Sequence, residues 1–430
     1  MCVLLVALVV VWLRPSLRIN DDFSPESGAW FGGAVNLYSE RDHEVSGNPE
    51  DVLTRQFQLC RKYDNLHYYL YGLAISDAQL ENVRWAIDEN DTPLVTLSWP
   101  QRMPTDPGFI PDVAAGRYDA QIAATAVKIK ALGGRVLLRP YWEFNHADNG
   151  LGAANYGGDY KQFIEAWRRT YTIFVGDADG WKAMGIDGDA IQAENVRFSW
   201  TPGNARPNNV VAGVNEDYRP YYPGDEYVDW IGIDSYTGNR MVYLREALAP
   251  PTQLVDWYAT YAGRGKPMTI GEIGIRPQSS YPSPSPTRAD WYANAQAALK
   301  AMPMIKLFSY FDVSNETNPL LASYQVDAPG GTDSDSAELA LAAYSVLAND
   351  PYFQAEGGIC AGGRILNLPT PDPDLGGSSA RSPSAPKYRR PDLPRRGRPR
   401  FEQPATAFPR LPNPSRNLHD LAGISIATTG

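Results

Sequence analysis

The segment RVLLRPYWEF, residues 135–144, shows the pattern that decides the fold: a short apolar run that ends beside a carboxylate. Seven more short apolar runs recur along the chain, separated by longer amphipathic stretches. Strands that alternate with helices favour a parallel sheet, and eight such units predict a closed (β/α)8 TIM barrel. An open doubly wound sheet is the alternative, but no glycine-rich turn follows the first run.

The predicted strands and helices follow one another regularly. Three helices carry end signals: Asn48-Pro49 and Ser76 at two starts, and Gly133-Gly134 at an end. The eight predicted strands are AWFGGAV (29–35), LHYYLYG (66–72), PLVTLSW (93–99), RVLLRPYWEF (135–144), VRFSWTP (196–202), VDWIGID (228–234), PMTIGEI (267–273) and IKLFSYFDV (305–313).

The two ends of the chain differ in composition from the middle. Residues 1–20 contain the apolar run CVLLVALVVVWL, which is too short for a bilayer span of about 20 residues and is typical of a signal peptide or an anchor remnant. Residues 357–430 are rich in Pro, Arg, Gly and Ser without apolar periodicity, which predicts a disordered tail. The predicted catalytic barrel is therefore 21–356, in a protein that is secreted or held at the cell surface.

The composition excludes several classes of function. The net charge is −10, which disfavours nucleic acid as a partner. The four histidines have no metal-ligand spacing, and no H-E-x-x-H, C-x-x-C or phosphate-binding loop is present, so we expect neither metal nor cofactor. With three cysteines and no pairing framework, we expect Cys60 to be a buried apolar residue on a helix.

Two glutamates close predicted strands at the end where barrel enzymes have their active sites. Glu143 closes the fourth strand and Glu272 the seventh, and a carboxylate at a buried strand end is costly without a purpose. If no bulge intervenes, Arg139 shares a face with Tyr141 and Glu143, and Ile270 shares one with Glu272. Paired carboxylates of this kind suit glycoside hydrolysis, in which a retaining enzyme holds them about 5–5.5 Å apart. A salt bridge that tethers a loop is the alternative for each.

The chain resembles glycoside hydrolase family 26, a family of barrel enzymes that includes β-mannanases and has its catalytic glutamates on strands four and seven. The resemblance extends over most of residues 28–350, and the longest matching stretch, YYPGDEYVDWIGIDSYT, is the most specific. The matching stretches are LLRPYWEFN (137–145), FSWTPGN (198–204), YYPGDEYVDWIGIDSYT (221–237), KPMTIGEIGI (266–275) and LFSYFDV (307–313).

The resemblance implies roles for particular residues. Glu143 is expected to be the acid/base and Glu272 the nucleophile, with a hydrogen bond from Tyr236 to the nucleophile. Trp99 and Trp200 are expected to line the sugar site.

Other residues near the strand ends are further candidates for substrate binding. Arg139 is expected to orient a carboxylate, Asn145 to bond a sugar hydroxyl or its own loop, and Asp312 to face a subsite or cap the next segment. Trp142 departs from the family pattern, because family mannanases usually have a histidine directly before the acid/base. This departure leaves the identity of the sugar open.

The sequence therefore predicts a monomeric endo-β-mannanase-like hydrolase of a β-linked polysaccharide that acts by double displacement. A β-glucan, a β-xylan or a bacterial exopolysaccharide is an alternative substrate. A non-catalytic carbohydrate-binding barrel would need only one or neither glutamate. A cell-surface scaffold would have its aromatic residues scattered over helices. The N-terminal run leaves membrane or cell-surface association open.

Overall fold

The computed structural model describes residues 21–37, 48–89, 91–99, 108–147, 150–205, 209–237, 240–249, 255–314, 324–329 and 332–353. All of them lie in one compact unit. Across these ranges no helix has the length and apolar character needed to cross a membrane. The predicted leader at 1–20 and the predicted tail at 357–430 lie outside the described residues.

The predicted barrel is confirmed. Eight parallel strands form a closed sheet in chain order, and β1 pairs with β8. This closing pair is in register over seven residues, from Trp30 opposite Leu307 to Asn36 opposite Val313. The strands are β1 (Trp30–Asn36), β2 (Asn65–Tyr71), β3 (Leu94–Ser98), β4 (Val136–Pro140), β5 (Val196–Trp200), β6 (Trp230–Asp234), β7 (Met268–Ile273) and β8 (Ile305–Val313).

Two of the helices that connect these strands begin where the sequence signals predicted. The side chain of Asn48 accepts a hydrogen bond from Glu50 N, and Ser76 forms a capping box with Gln79. The described α-helices are α1 (Pro49–Leu59), α2 (Asp77–Asp88), α3 (Phe109–Ala114), α4 (Asp119–Lys130), α5 (Tyr160–Val175), α6 (Ala178–Ala183), α7 (Leu244–Ala247), α8 (Trp257–Tyr261), α9 (Arg288–Ala301) and α10 (Ala337–Ala348).

The barrel interior contains three layers of side chains. An apolar layer at the N-terminal ends of the strands is formed by Phe23, Trp30, Leu94, Leu137, Trp230 and Leu307. Nearer the C-terminal ends lies an aromatic group with Tyr69 and Phe311, next to Tyr236. Between them the buried side chains are polar, namely Thr96, Arg139, Ser199, Thr269 and Ser309. Since buried polar groups need hydrogen-bond partners, this middle layer is where a functional network fits.

Cys60 differs from its prediction. It follows the last residue of α1 and takes a left-handed conformation, with φ of 52°. It is only half-buried, and it is disulfide-bonded. The other two cysteines, Cys2 and Cys360, both lie outside the described residues. The expectation of a buried apolar cysteine on a helix is wrong, because a single sequence does not show which cysteines pair.

Candidate active site

A β-bulge in β7 decides where Glu272 points. Ile233 of β6 is opposite Ile270, but the next residue, Asp234, is opposite Glu272, so Gly271 is the extra residue. A bulge re-aims the side chains that follow it. Ile270 therefore packs in the outer core whereas Glu272 is directed into the barrel mouth. The prediction that these two side chains share a face is wrong for this reason.

Glu272 receives hydrogen bonds from three side chains. Tyr69 donates from its hydroxyl to Oε1 at 2.6 Å, and Arg139 donates to the same oxygen through Nη2. Tyr236 donates to Oε2 at 3.0 Å, the contact that the family resemblance implied. Glu272 is only 6% exposed. These donors hold the carboxylate in one orientation and compensate its negative charge.

Arg139 connects Glu272 to a third carboxylate. Its Nη1 lies 2.5 Å from Asp234 Oδ1, and its Nε donates to Thr96 Oγ1 at 2.9 Å. His67 bonds the same threonine hydroxyl through Nε2 at 2.7 Å. Burial, together with the charge of Arg139, lowers the pKa of His67 well below its usual range, so this imidazole is neutral. Arg139 is completely buried and positions two carboxylates, as the expectation that it orients a carboxylate required. Its place among the candidates for substrate binding is wrong.

Asp234 was not among the predicted site residues. Burial raises the pKa of Asp234 well above its usual range, although Arg139 opposes this shift, and the nearby charges of Glu272 and Glu143 add to it. Its Oδ1 accepts from Arg139. Carboxylates of like charge at such short range do not all ionise easily.

Glu143 lies in a turn beyond the end of β4. The strand ends at Pro140, and both Tyr141 and Glu143 have positive φ angles, of 55° and 48°. Tyr141 points outward, where its hydroxyl is 2.6 Å from Thr170 Oγ1 of α5. The predicted face shared by residues 139, 141 and 143 is therefore wrong. The turn is held by a hydrogen bond of 3.1 Å from Glu143 N to the carbonyl of Thr201.

The turn and the bulge bring three carboxylates together. Single oxygens of Glu143, Asp234 and Glu272 all lie within 4.8 Å of one another. Oxygen clusters of this kind also suit a divalent cation. However, Arg139 already supplies a positive charge to Asp234 and Glu272, which favours a catalytic carboxylate pair over a metal centre.

His146, which sequence reasoning did not select, contacts Glu143. Its Nδ1 lies 3.5 Å from Glu143 Oε2, and its Nε2 lies 2.8 Å from the carbonyl oxygen of Asn204. The feature of the sequence that could have indicated this contact is the position of His146, three residues after the glutamate in a loop that follows a barrel strand. A close contact between residues three apart requires a turn, and we predicted a continuous strand there.

Asn145 holds loops together. Its Nδ2 donates to the carbonyls of Gly203 and Glu216 at 3.0 and 2.9 Å, and its Oδ1 accepts from Gly203 N at 2.8 Å. It is 2% exposed. Of the two predicted roles, the structure supports the one within the loops, not a bond to a sugar hydroxyl.

Trp99, Trp200 and Asp312 point away from the carboxylates. Trp200 is fully buried among the rings of Phe144, Tyr222 and other aromatic residues outside the barrel. Trp99 is buried and packs against the outward-pointing Tyr141. The prediction that both tryptophans line the sugar site is wrong, because inward positions of β3 and β5 are Thr96, Ser98 and Ser199.

Asp312 also faces the helices. It forms an ion pair with Arg55 Nε of α1 at 2.6 Å and accepts a hydrogen bond of 2.9 Å from Val326 N. The predicted role at a subsite is therefore wrong, and the alternative of capping the next segment fits. Trp142 remains at the barrel mouth, half-buried, with its Nε1 3.4 Å from Ser98 Oγ.

Comparisons with known proteins agree with this architecture. No family model matches the chain. Endoglucanase H of Acetivibrio thermocellus is 28% identical over 169 residues, which are 38% of this chain but only 16% of that much longer protein.

Solved structures resemble the chain over most of its length. The catalytic domain of the Bacillus sp. JAMB-750 GH26 endo-β-1,4-mannanase gives a TM-score of 0.52 at 16% identity, covering 77% of this chain and 89% of that one. A modular endo-β-1,4-mannanase from Cellulomonas fimi gives 0.52 at 16% identity, covering 76% and 71%. GH26C from Muricauda sp. MAR_2010_75 gives 0.52 at 14%, covering 76% and 86%. The predicted resemblance to glycoside hydrolase family 26 is thus confirmed at the level of the fold.

Proposed function

We propose that this protein is a retaining glycoside hydrolase that cleaves a β-linked polysaccharide. The observation that carries the proposal is the separation of Glu143 and Glu272, whose nearest oxygens lie within 4.8 Å. Retaining enzymes hold their carboxyl groups about 5–5.5 Å apart, whereas inverting enzymes leave roughly 6.5–9.5 Å for a water molecule. The short gap leaves room for direct attack and supports double displacement.

In the first step, Glu272 attacks the anomeric carbon and Glu143 protonates the departing glycosidic oxygen. Oε2 of Glu272 is the attacking atom, because Tyr69 and Arg139 both bind Oε1 while Oε2 receives only the hydroxyl of Tyr236 among the contacts described above. Fixing Oε1 leaves the carboxylate little freedom to rotate, which lowers the entropic cost of reaching the attack geometry.

In the second step, Glu143 acts as the base. It takes a proton from a water molecule, which attacks the anomeric carbon of the glycosyl-enzyme and releases Glu272. Two inversions at one carbon leave the product with the configuration of the substrate. The buried charge of Arg139 stabilises Glu272 as it becomes a carboxylate again.

The substrate is proposed by likeness. A β-1,4-mannan comes first, because the solved structures of similar fold include endo-β-1,4-mannanases. A β-glucan is the second candidate, because the curated relative is named an endoglucanase. Trp142 stands at the barrel mouth where family mannanases have a histidine, and this difference supports the second candidate. A β-xylan or an exopolysaccharide remains a further alternative substrate.

A secreted or cell-surface location is part of the proposal. The disulfide at Cys60 supports it, because disulfides persist in oxidising compartments and are rare in the cytosol. The apolar run at residues 2–13 has the length of the core of a signal peptide. We propose that the protein acts as a monomer on its polysaccharide.

The test is an activity panel with product analysis. The purified protein, Glu143→Ala, Glu272→Ala and the control Glu165→Ala, on the exposed face of α5, are incubated with β-mannan, mixed-linkage glucan, β-1,3-xylan and exopolysaccharides. We expect one substrate to be cleaved by wild type and control, with a loss of at least about 100-fold in the two site variants. NMR of the first product should show a β-anomer. An α-anomer, or equal background for wild type and site variants on every substrate, contradicts the proposal.

A further inference from the structure

We infer that His146 is a positioning residue that shares one proton with Glu143 and presents that carboxyl group as the acid of the reaction. The inference rests on the proposed function, since it assigns a partner to the proposed acid/base. It starts from two contacts of the imidazole ring, one with the Asn204 carbonyl and one with the Glu143 carboxyl group.

The first contact fixes the tautomer of the ring. A carbonyl oxygen only accepts hydrogen bonds, so Nε2, at 2.8 Å from the Asn204 carbonyl, must carry a hydrogen. Asn204 is itself held, because its N–H donates to the carbonyl of Asp234 at 3.0 Å. The ring lies against Gly203, where a Cβ atom would be 2.3 Å from His146 Cε1. The imidazole is therefore held against the backbone segment that follows β5.

The second contact then needs a proton. With hydrogen on Nε2, a neutral ring presents a lone pair at Nδ1, and the ionised Glu143 presents lone pairs at Oε2, 3.5 Å away. Two acceptors repel each other, so the pair is attractive only when one proton lies between them. The proton is either on Glu143, donated to Nδ1, or on Nδ1, donated to Oε2.

The other charged groups around Glu143 make this shared proton useful. Asp234 and Glu272 have oxygens within 4.8 Å of it, and Arg139 compensates those two carboxylates directly. A second basic atom beside Glu143 strengthens the hold of the pair on its last proton. Glu143 thus enters the first step with a proton that it shares with His146.

The experiment uses His146→Ala, His146→Asn and a loop control, Asn155→Ala. Asn155 Nδ2 donates to the carbonyls of Ala147 and Gly152 at 3.1 and 3.2 Å, so its loss loosens the same loop without touching the carboxylates. The pH profile of kcat/KM is measured on the polysaccharide that wild type cleaves and on the matching 2,4-dinitrophenyl β-glycoside. The latter has a leaving group that needs no protonation.

We expect His146→Ala to lose about tenfold or more in kcat/KM on the polysaccharide and less on the dinitrophenyl glycoside. In its pH profile, the alkaline limb, where kcat/KM falls as pH rises, should lie at lower pH than in wild type. His146→Asn keeps a polar contact but has no titratable proton, so it should recover part of the rate while its alkaline limb stays at lower pH. Asn155→Ala should leave the limb in place. Melting temperatures identify any variant that fails to fold.

Two results would overturn the inference. One is a kcat/KM profile whose alkaline limb lies at the same pH in both His146 variants as in wild type. The other is a loss in His146→Ala that is equal on the two substrates and matched by Asn155→Ala, which indicates a loop effect. Failure of the proposed function would look different. In that case wild type cleaves no substrate, or cleaves it no faster than the Glu143 and Glu272 variants do.

Discussion

Arg139 Nη1 lies 2.5 Å from Asp234 Oδ1, and neither side chain is accessible to solvent. The same guanidinium bonds Glu272, so one buried positive charge serves two buried carboxylates. A buried pair of this kind adds little net stability, but removing one partner leaves charge without compensation. The network therefore ties the stability of the barrel to the geometry of the site.

Arg139→Met should destabilise the protein by about 3–5 kcal/mol, because it leaves Asp234 and Glu272 facing each other without a counter-charge. Urea denaturation at pH 7 measures the effect. Arg240→Ala is the matched control, since Arg240 forms an exposed pair with Glu246 and should cost less than about 1 kcal/mol. Equal losses in the two variants would contradict the assigned role of the buried network.

Gly271→Ala should reduce kcat far more than it reduces stability. A Cβ atom at position 271 would lie 2.6 Å from Arg139 Nη1 and 2.8 Å from Asp234 Oδ1, so the guanidinium must move and with it the Oε1 contact of Glu272. A displacement of about 1 Å in such a site costs on the order of 100-fold in rate. Gly263→Ala, where nothing lies within 4 Å of the new methyl group, is the control. Unchanged kcat in Gly271→Ala would refute this account of the bulge.

The two tryptophans Trp142 and Trp200 should respond differently to substitution. Trp142→Ala should raise KM on the polysaccharide, because this ring is half-buried at the barrel mouth. Trp200→Ala should lower the free energy of unfolding by about 3–5 kcal/mol, as expected for a large ring lost from a core. Trp200→Phe, a milder change, should leave KM unaltered. A rise in KM for Trp200→Phe would restore the idea that this residue meets the sugar.

Asp91 should make stability depend on pH. Burial raises the pKa of Asp91 to about 7, although Lys62, with Nζ at 3.4 Å from Asp91 Oδ1, opposes the shift. Its folded pKa then exceeds its unfolded pKa, so the folded state binds the extra proton and the free energy of unfolding falls as pH rises from about 4 to about 7. The maximum effect is about 4 kcal/mol.

Asp91→Asn should remove this fall, so its advantage over wild type should grow between pH 4 and 7 and remain level above. Urea denaturation across this range checks the trend. Asp350→Asn provides a control of opposite sign. Burial opposes ionisation of Asp350, but bonds from Lys300, Tyr352 N and Gln296 prevail and lower its pKa. That variant should lose stability at neutral pH and match wild type in acid. The prediction is contradicted if the difference in free energy of unfolding between Asp91→Asn and wild type does not change between pH 4 and 7.

The sequence predicted the barrel and the two proposed catalytic glutamates because strand–helix alternation and helix caps are local signals. It did not predict which way strand residues point. Strands of a parallel barrel are buried on both faces, so hydrophobicity does not mark the inward phase. Trp99, Trp200 and Asp312 were placed on the wrong face for this reason, whereas the inward-pointing Tyr69 was not selected at all.

Departures from regular strand geometry explain the remaining errors. The bulge at Gly271 and the turn at residues 141–143 each alter the period of two, and they aim Glu272 and Glu143 at each other. The turn has no strong sequence signal, since Tyr141 and Glu143 are not residues that favour positive φ. A glycine inside a strand pattern can mark a bulge, but Gly271 was not interpreted in that way. The short distance between His146 and Glu143 depends on that turn, and so it could be found only in the structure.

The pairing of β1 with β8 has a consequence for synthesis. The first strand of the barrel has its longest partner in the last one, and this contact spans almost the whole domain. While the chain grows on the ribosome, β1 has no β8 to pair with, because Leu307, the partner of Trp30, is synthesised much later. Until then β1 is an open strand edge with which neighbouring chains can pair. Chaperones that keep the chain unfolded until translation is complete would suit such a protein, and a low expression temperature should increase the yield of folded protein in a recombinant host.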